Sequence, residues 1–364
     1  MPAVESLPAQ WSAHGALRNA ARVAAALLLA ASATAQGSTY CAHTSAEFQS
    51  ALNDAGTGGI ANGHDNTIHL ASGTFTTSGG PFSFGTTSGF ALTIDGGYDS
   101  NCTAQDMTPE ATALDGGGLT RVLTLQTNGT VSVSHLTIRN ALYNGSAGGG
   151  GQIYLSVPAA MAIFDSNVVR DNADSFGSGG FTFFGNGTVH IENNLFVGNS
   201  SPAGAAFSTS MGDNSTIYIT NNTITGNTNT GSSNMITAIG GGSSTLSAHV
   251  SNTISYGNHG VGQYDFYLYG FQTAEFVNND YASITGVPAP SSAGNFIAID
   301  PKFVGASDFH LRSTSPLLRA GTLTPAGTLP VTDIEGHPRS VGGHVDLGAY
   351  ENVDFIFANG FEQS

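Results

Sequence analysis

Four charged residues lie close together near the middle of the chain, and their side chains are of types that can bind a hard cation. Asp165, Asp171 and Asp174 supply carboxylates, Arg170 lies among them, and Glu192 follows further along the sequence. Carboxylate oxygens are ligands that Ca²⁺ prefers, so Asp165, Asp171, Asp174 and Glu192 are candidate calcium ligands. The competing interpretation, which we favour, is that these are solvated turn residues and that Arg170 pairs with a neighbouring carboxylate.

A second charged group lies near the C-terminus. Asp333, Glu335, Asp346 and Glu351 accompany a single nearby arginine, Arg339. Carboxylates around one arginine usually form a buried ion-pair network, which here would hold an irregular cap in place. Because one arginine cannot neutralise four carboxylates, a structural calcium ion is the weaker alternative.

Two aromatic clusters could bind a sugar by stacking. They comprise Tyr264, Phe266, Tyr267, Tyr269 and Phe271 in one case and Phe181, Phe183 and Phe184 in the other. On strands, alternation would send half of these rings into the core and leave the rest as a surface platform for sugars or as cross-strand packing. The histidines His135, His190 and His249 have no second ligand at a fitting spacing, which disfavours a metal site.

These residues are carried by sequence repeats. An asparagine stands two positions before an apolar or aromatic residue in five similar segments, at Asn167, Asn194, Asn222, Asn252 and Asn279. The steps between these asparagines are 27, 28, 30 and 27 residues. A period in this range is typical of a solenoid, in which each repeat buries its apolar face against its neighbours.

The short segments of each repeat predict strands. Residues 131–134, 189–192 and 217–220 alternate apolar and polar side chains, which is the period of a pleated strand. Each repeat also has a second, glycine-marked strand, and none has an amphipathic stretch long enough for a helix. We therefore predict an all-β fold, a parallel β-helix. The repeated asparagines suit its bends, since Asn tolerates the left-handed backbone conformation and can form a hydrogen-bonded ladder from coil to coil.

The start of the solenoid has its own signature. Residues 44–56 predict one short amphipathic helix with Phe48 and Leu52 on its apolar face, which would cover the open end of the first coil. The chain has only two cysteines, Cys41 and Cys102. In an exported chain an isolated pair predicts a disulfide, which would stabilise this cap by about 4 kcal/mol in the chain-entropy model.

The first 35 residues predict a secretory signal peptide. Arg18 and Arg22 precede the apolar run 23–30, and Ala33-Thr34-Ala35 supplies a small-x-small cleavage pattern. No other stretch predicts a membrane-spanning helix. The formal net charge of −16 at pH 7 disfavours nucleic acids and anionic lipids as partners. We expect a protein that is secreted or held at the outer cell surface.

Several segments of the chain resemble a known fold family. The cap with Cys41, the segment 68–75, Gly-Gly-Tyr-Asp-Ser-Asn-Cys at 96–102 and the segment 112–118 resemble bacterial right-handed parallel β-helix proteins related in fold to pectate lyases. Lyases of that fold use Asp-bound Ca²⁺ to acidify a sugar proton and an Arg or Lys to remove it. The resemblance therefore makes Arg170, Asp165 and Asp171 the candidate catalytic residues, should the protein be an enzyme.

The end of the chain resembles a more specific module. Asp-Pro-Lys-Phe-Val at 300–304, Asp-Ile-Glu-Gly-His-Pro-Arg at 333–339 and Val-Asp-Leu-Gly-Ala-Tyr-Glu at 345–351 are similar to the choice-of-anchor Q domain. The family comprises exported or surface proteins with no single established activity. The resemblance divides the β-helix domain, 36–351, into an N-terminal cap at 36–66, coils at 67–290 and a closing region at 291–351.

The last residues, 352–364, form an aromatic tail that contains Phe355, Phe357 and Phe361. They are similar to a short ending of exported proteins from some Gram-negative bacteria. We expect this tail to be recognised by export or anchoring machinery, or to fold back as a cap.

The combined prediction is a secreted or cell-surface β-helix protein without catalytic activity, acting in adhesion or in carbohydrate or surface binding. Its expected partner is an extracellular polysaccharide or a cell-surface component, and no cofactor is required, although Ca²⁺ could bind. The alternative is a Ca²⁺-dependent polysaccharide lyase.

Overall fold

The computed structural model describes residues 37–233, 235–242, 245–260, 263–287 and 290–352. The predicted signal peptide and the aromatic tail from residue 353 onward lie outside these residues. The described chain is almost entirely β structure with very little helix, and its parallel sheets form a β-solenoid of about 8 turns, which confirms the predicted fold class.

Within the described residues the largest sheet has 16 strands and forms two faces of the solenoid, because two long strands, β11 (Gly151–Asp165) and β14 (Phe181–Glu192), each run along both faces. Its strands are β1 (Thr39–Ala42), β2 (Asn66–Ala71), β4 (Phe82–Gly85), β5 (Leu92–Tyr98), β7 (Leu123–Thr127), β8 (Thr130–Ser134), β11 (Gly151–Asp165), β14 (Phe181–Glu192), β17 (Phe207–Met211), β18 (Thr216–Thr220), β21 (Met235–Gly240), β22 (Ser247–Ser251), β24 (Tyr264–Tyr269), β25 (Thr273–Val277), β27 (Ile284–Val287) and β28 (Ser291–Ala293).

Two further sheets complete each turn. The nine-stranded sheet comprises β3 (Gly73–Thr76), β6 (Thr112–Asp115), β9 (Thr137–Arg139), β12 (Val168–Arg170), β15 (Leu195–Val197), β19 (Thr223–Thr225), β23 (Ile254–Tyr256), β26 (Asp280–Tyr281) and β29 (Phe296–Ile297). The four-stranded sheet comprises β10 (Leu142–Tyr143), β13 (Ala173–Asp174), β16 (Ser200–Ser201) and β20 (Thr228–Asn229).

The interior of the solenoid is filled by the inward-facing apolar residues of successive coils. Phe164 packs against Phe181 with ring centroids 4.6 Å apart, and Phe196 packs against Phe207 at 4.8 Å. All four rings are fully buried. The alternation predicted for these strands is therefore the alternation between core and surface, and the core is continuous along the coils.

Asparagine ladders hold the bends. The side-chain amide of Asn167 donates to Oδ1 of Asn194 (3.2 Å), and that of Asn194 donates to Oδ1 of Asn222 (3.0 Å). In the next coil Thr253 occupies the ladder position. Its hydroxyl oxygen accepts a hydrogen bond from the backbone amide of Asn222 (3.4 Å). The predicted ladder residue Asn252 is therefore displaced by one position. The ladder resumes at Asn279, whose Oδ1 accepts from the Thr253 backbone (2.9 Å).

Asn252 belongs to a different column. Like Asn193, Asn221 and Asn278, it adopts a left-handed backbone conformation, with φ between 53° and 55° in this group. A second ladder, which the sequence pattern did not lead us to predict, joins Asn172, Asn199, Asn227 and Asn258. Its side-chain amides form hydrogen bonds of 2.9–3.0 Å from coil to coil. Each coil in this part of the solenoid therefore has two asparagine-stabilised bends.

The N-terminal cap consists of β1 and the helix α1 (Ser45–Ala55), with a 3₁₀ turn at Pro109–Ala111 further along. Thr44 and Glu47 form a capping box at the start of α1. The Gln49 side chain donates to the Ser83 carbonyl and accepts from the Ser83 amide, both at 2.9 Å, so it occupies hydrogen-bonding groups of β4. Cys41 and Cys102 form the predicted disulfide.

Residues 298–352, which we call the strap, run along the side of the solenoid over the nine-stranded sheet. The strap residues Ile334, Ala349 and Tyr350 pack on Val168 and Leu195, which point outward from the coils, and the five residues form one buried apolar cluster. The left-handed asparagine column donates to carbonyl groups of the strap: Asn193 to Thr332, Asn221 to Asp346, Asn252 to Thr322 and Asn278 to Ala320. The irregular closing region therefore covers a flank of the coils.

No helix in the described residues has the length and apolar character needed to cross a membrane.

Candidate functional site

A groove on the outer face of the largest sheet is the candidate site that we consider, because aromatic rings and hydroxyl groups meet there. It lies over β14, β17, β21 and β24 and beside the turns that precede these strands, and its volume is about 460 Å³. This is within the size range of small-molecule sites. Its lining residues are Ser146, Phe176, Gly177, Ser178, Thr182, Ala203, Ser208, Ser210, Met235, Ala238, Tyr267 and Tyr269.

Both aromatic clusters from the sequence contribute rings to this face and to the core. Phe181, Phe183, Phe266 and Phe271 are buried. Tyr267 and Tyr269 are half-buried, with their ring centroids 6.2 Å apart, and both line the groove. Phe184 is also half-buried, on the same face, and its ring stacks on that of Tyr154 with a centroid distance of 4.9 Å. The predicted division of rings between core and surface therefore produces an aromatic surface at the groove.

Tyr269 is fixed in place by its hydroxyl group and by a glycine. Its hydroxyl donates to the carbonyl oxygen of Thr209 at 2.7 Å, across the intervening strand β21. A Cβ atom at Gly240 would lie only 2.7 Å from the Tyr269 ring atom Cδ1, so the ring lies directly over the backbone of Gly240. Burial raises the pKa of the Tyr269 phenol, which keeps this hydroxyl protonated and donating.

Hydroxyl groups form a connected row along the groove. The backbone amide of Gly148 donates to Oγ1 of Thr182 (2.8 Å), and the Thr182 and Ser208 hydroxyls lie 3.2 Å apart. Ser178 also contacts the Ser208 hydroxyl. Ser210 is exposed on the same strand as Ser208. The groove therefore combines flat rings with neutral hydrogen-bonding groups, which is a combination that suits sugars.

Phe176 forms the rim of the groove and is 67% exposed. The turn that carries it is held by Asp174, whose Oδ1 accepts from the backbone amides of Phe176 (2.8 Å) and Gly177 (3.0 Å). Burial raises the pKa of Asp174. The structure thus places this candidate calcium ligand beneath the rim, where it orders the turn.

The other members of the first charged group lie at different places. Arg170 is exposed and forms an ion pair with its neighbour Asp171 at 2.8 Å. Asp165 lies before the Asn167 bend, where it accepts from Ser166 (3.2 Å). Arg170 is the last residue of β12 and Asp171 follows it, so both come after that bend. Arg170, the candidate proton acceptor, therefore lies on a different face of the coil from Asp165.

Asp165 and Glu192 are the two candidate ligands that the structure brings together. They are cross-strand partners at the ends of β11 and β14. Burial and the nearby Glu192 raise the pKa of Asp165 to about 6. Glu192 accepts from Nδ1 of His190 at 2.9 Å. Among the described residues, no group of three or more His, Cys, Asp or Glu side chains is arranged to hold a metal ion.

The C-terminal charged group is a buried network within the strap. Arg339 is fully buried and lies 3.3 Å from Glu351. The same guanidinium donates to Oδ1 of Asn193 (2.6 Å), which ties the strap to the coils. Burial and the neighbouring Asp346 raise the pKa of Glu351 to about 8, so this carboxyl is largely protonated at neutral pH. Asp333 and Asp346 complete the buried network, whereas Glu335 lies at its edge and pairs with His310 at 3.1 Å.

The scattered histidines form pairs with carboxylates. His135 lies 2.8 Å from Asp95, and His249 lies 2.9 Å from Glu275. The Tyr218 ring stacks between those of His190 and His249, at centroid distances of 4.8 and 5.3 Å. The strap backbone at Gly327 lies against the Tyr218 ring, so this stack supports the strap.

Comparison with known proteins leaves the family open. No protein-family model matches the chain, and no curated protein matches its sequence significantly. The resemblance to the choice-of-anchor Q domain and to pectate-lyase-like proteins therefore stays a prediction, and the groove carries the functional interpretation.

Proposed function

We propose that this is a non-catalytic, exported β-helix protein that binds an extracellular polysaccharide in the groove beside Tyr269. The observation that carries the proposal is the pairing of a fixed, half-buried aromatic ring with a row of hydroxyl groups. Pyranose rings have apolar C–H faces and polar hydroxyl edges, so a flat ring and neutral donors complement both parts.

Preorganisation supports binding at this place. Tyr269 is tethered by its hydroxyl to Thr209, and the rim turn with Phe176 is ordered by Asp174. Side chains that are already ordered lose less conformational entropy when a ligand binds. The groove is thus suited to a flexible, hydroxyl-rich chain whose own ordering is costly.

The positions of the acidic and basic residues support the non-catalytic part of the proposal. None of the described lining residues is Asp, Glu, His, Lys or Arg. A lyase needs acidic ligands and a base that converge on the substrate. Arg170 pairs with Asp171 on a different face of the coil from Asp165, which gives the lyase alternative less support than binding.

The cellular location and finer family assignment are part of the same proposal. Residues 1–35 would direct export, and the Cys41–Cys102 disulfide suits an oxidising compartment. A choice-of-anchor Q assignment for the closing region and a recognition role for residues 352–364 would place the protein at the outer cell surface. Polysaccharide binding there would serve adhesion.

Affinity electrophoresis of residues 36–364 against a panel of polysaccharides tests the binding proposal. Tyr269→Ala and Phe176→Ala should each weaken binding by about tenfold, because a stacked aromatic contact is lost. Phe90→Ala is the matched control, since this ring is 46% exposed and does not line the groove. Binding that survives both groove substitutions would overturn the proposal, as would Ca²⁺-dependent release of unsaturated products.

A further inference from the structure

We infer that the groove selects an uncharged glycan over its uronic acid counterpart. This inference rests on the proposed function and names the ligand class of the same site. It is drawn from the charges and the hydroxyl network around the groove.

The groove offers no positive charge to a carboxylate. Its described lining residues are uncharged side chains, and the chain as a whole carries a formal charge of −16. Desolvating a sugar carboxylate here would cost free energy without a compensating ion pair, in the field of a strongly acidic protein.

The basic residue Arg121, which contacts the turn beside the groove residue Ser146, is already engaged. Arg121 donates through Nε to the Gly148 carbonyl (2.8 Å) and through an Nη atom to the Ala147 carbonyl (2.9 Å). Its guanidinium carbon also lies 3.9 Å from the centroid of the Tyr143 ring. Turning this cation toward an acidic ligand would break the contacts that hold the turn beside Ser146.

The hydroxyl row presents a neutral donor. Because the Gly148 amide donates to Thr182 Oγ1, the Thr182 proton is free to point toward Ser208, 3.2 Å away. Ser208 also accepts from the Ser178 hydroxyl, so in the arrangement in which Thr182 donates to Ser208 the Ser208 proton is available to a ligand. A single neutral hydroxyl donor suits the hydroxyl and ether oxygens of a hexose.

The face of Tyr269 does not distinguish the two ligand classes. A hexose and its uronic acid have the same ring and the same C–H face, and they differ at C6. Charge is therefore the property on which this groove discriminates.

The experiment compares polymers in matched pairs that differ only at C6: polygalacturonate, polyglucuronate and polymannuronate, each with the neutral polymer made by reducing its carboxyl groups. Binding to residues 36–364 is measured by isothermal titration with chelator and again with CaCl₂. We expect the neutral member of the bound pair to bind at least about tenfold more tightly in both conditions. Tyr269→Ala and Ser208→Ala should each weaken this binding, and Phe90→Ala should not; circular dichroism verifies that each variant is folded.

The outcomes separate the two levels of the proposal. Equal or tighter binding of the acidic member, still weakened by Tyr269→Ala or Ser208→Ala, would overturn the selectivity and leave the polysaccharide site standing. Absence of binding to every pair, or binding indifferent to both groove variants, would overturn the selectivity together with the proposed function.

Discussion

The Tyr269 hydroxyl and the Thr209 carbonyl are joined by a 2.7 Å hydrogen bond that passes over the strand between them. Tyr269 lies on β24 and Thr209 on β17, and β21 separates the two strands. The bond lays the aromatic ring along the sheet surface above Gly240, where one face can receive a ligand.

Removing the hydroxyl alone should separate ring orientation from ring presence. Tyr269→Phe keeps the aromatic face but loses the bond to Thr209, which contributes about 1 kcal/mol. We expect polysaccharide binding about two- to tenfold weaker than in the wild type, and less impaired than in Tyr269→Ala. Isothermal titration of the three proteins checks this order. Equal affinities for wild type and Tyr269→Phe would show that the tether does not prepare the site.

The first asparagine ladder should contribute measurably to stability. Asn194 is fully buried, donates to the Phe164 carbonyl (2.7 Å) and bonds to Asn222. Asn194→Ala leaves buried groups without partners and should lower the free energy of unfolding by about 1 to 3 kcal/mol. The exposed Asn101→Ala is the control. Chemical denaturation that gives the same value for both variants would argue against the ladder's contribution.

Stability should fall as the pH rises, through the buried network of the strap. The folded-state pKa of Glu351 is about 8, above its ordinary value of 4.5, so its contribution is complete below about pH 4.5 and is lost as the pH rises through about 8. Glu351→Gln keeps a neutral side chain at every pH, so the melting temperature of this variant should depend less on pH above pH 7.

His310, whose pKa its hydrogen bond to Glu335 raises to about 9, loses its contribution over the same pH range, but it does so in the wild type and in Glu351→Gln alike. The difference between the two proteins above pH 7 therefore reports on Glu351, because the raised pKa values of Asp165 and Asp280, each about 6, act at lower pH. Glu275→Gln is the control, since this carboxylate is 45% exposed. The same pH dependence of the melting temperature in the wild type and in Glu351→Gln, from neutral to alkaline pH, would contradict the assignment of a protonated Glu351.

The disulfide should stabilise the cap. It joins residues 61 positions apart, for which the chain-entropy model gives about 4 kcal/mol. The double variant Cys41→Ala, Cys102→Ala should lower the free energy of unfolding by an amount of this order, and reducing agent should have the same effect on the wild type. A double variant that unfolds at the wild-type denaturant concentration would remove the bridge from the account of the cap's stability.

Local patterns in the sequence predict the coil architecture well, since alternation and bend residues act over a few positions. The one-residue displacement at Asn252 arises because Asn252 and Thr253 are adjacent and a threonine hydroxyl can accept in the ladder as an amide does. The sequence alone does not distinguish these positions. The strap's course depends on contacts such as that between Arg339 and Asn193, which are 146 residues apart.

The candidate site is also predictable from the sequence only in part. Alternation predicts that some rings of the 264–271 cluster face outward. It does not predict that Tyr269 reaches Thr209, 60 residues earlier, or that the Ser208 and Ser178 hydroxyls meet beside it. Asp165 and Arg170 are close in sequence, but the bend at Asn167 separates them because the chain turns there.

The most direct test of the account is a crystal structure of residues 36–364 with an oligosaccharide from the polymer that binds. We predict an intact, uncharged sugar chain in the groove, with one ring stacked on Tyr269 and a hydroxyl or ether oxygen within hydrogen-bonding distance of Ser208. A chain bound instead between Asp165 and Arg170, or one with an unsaturated sugar at a newly formed end, would contradict it.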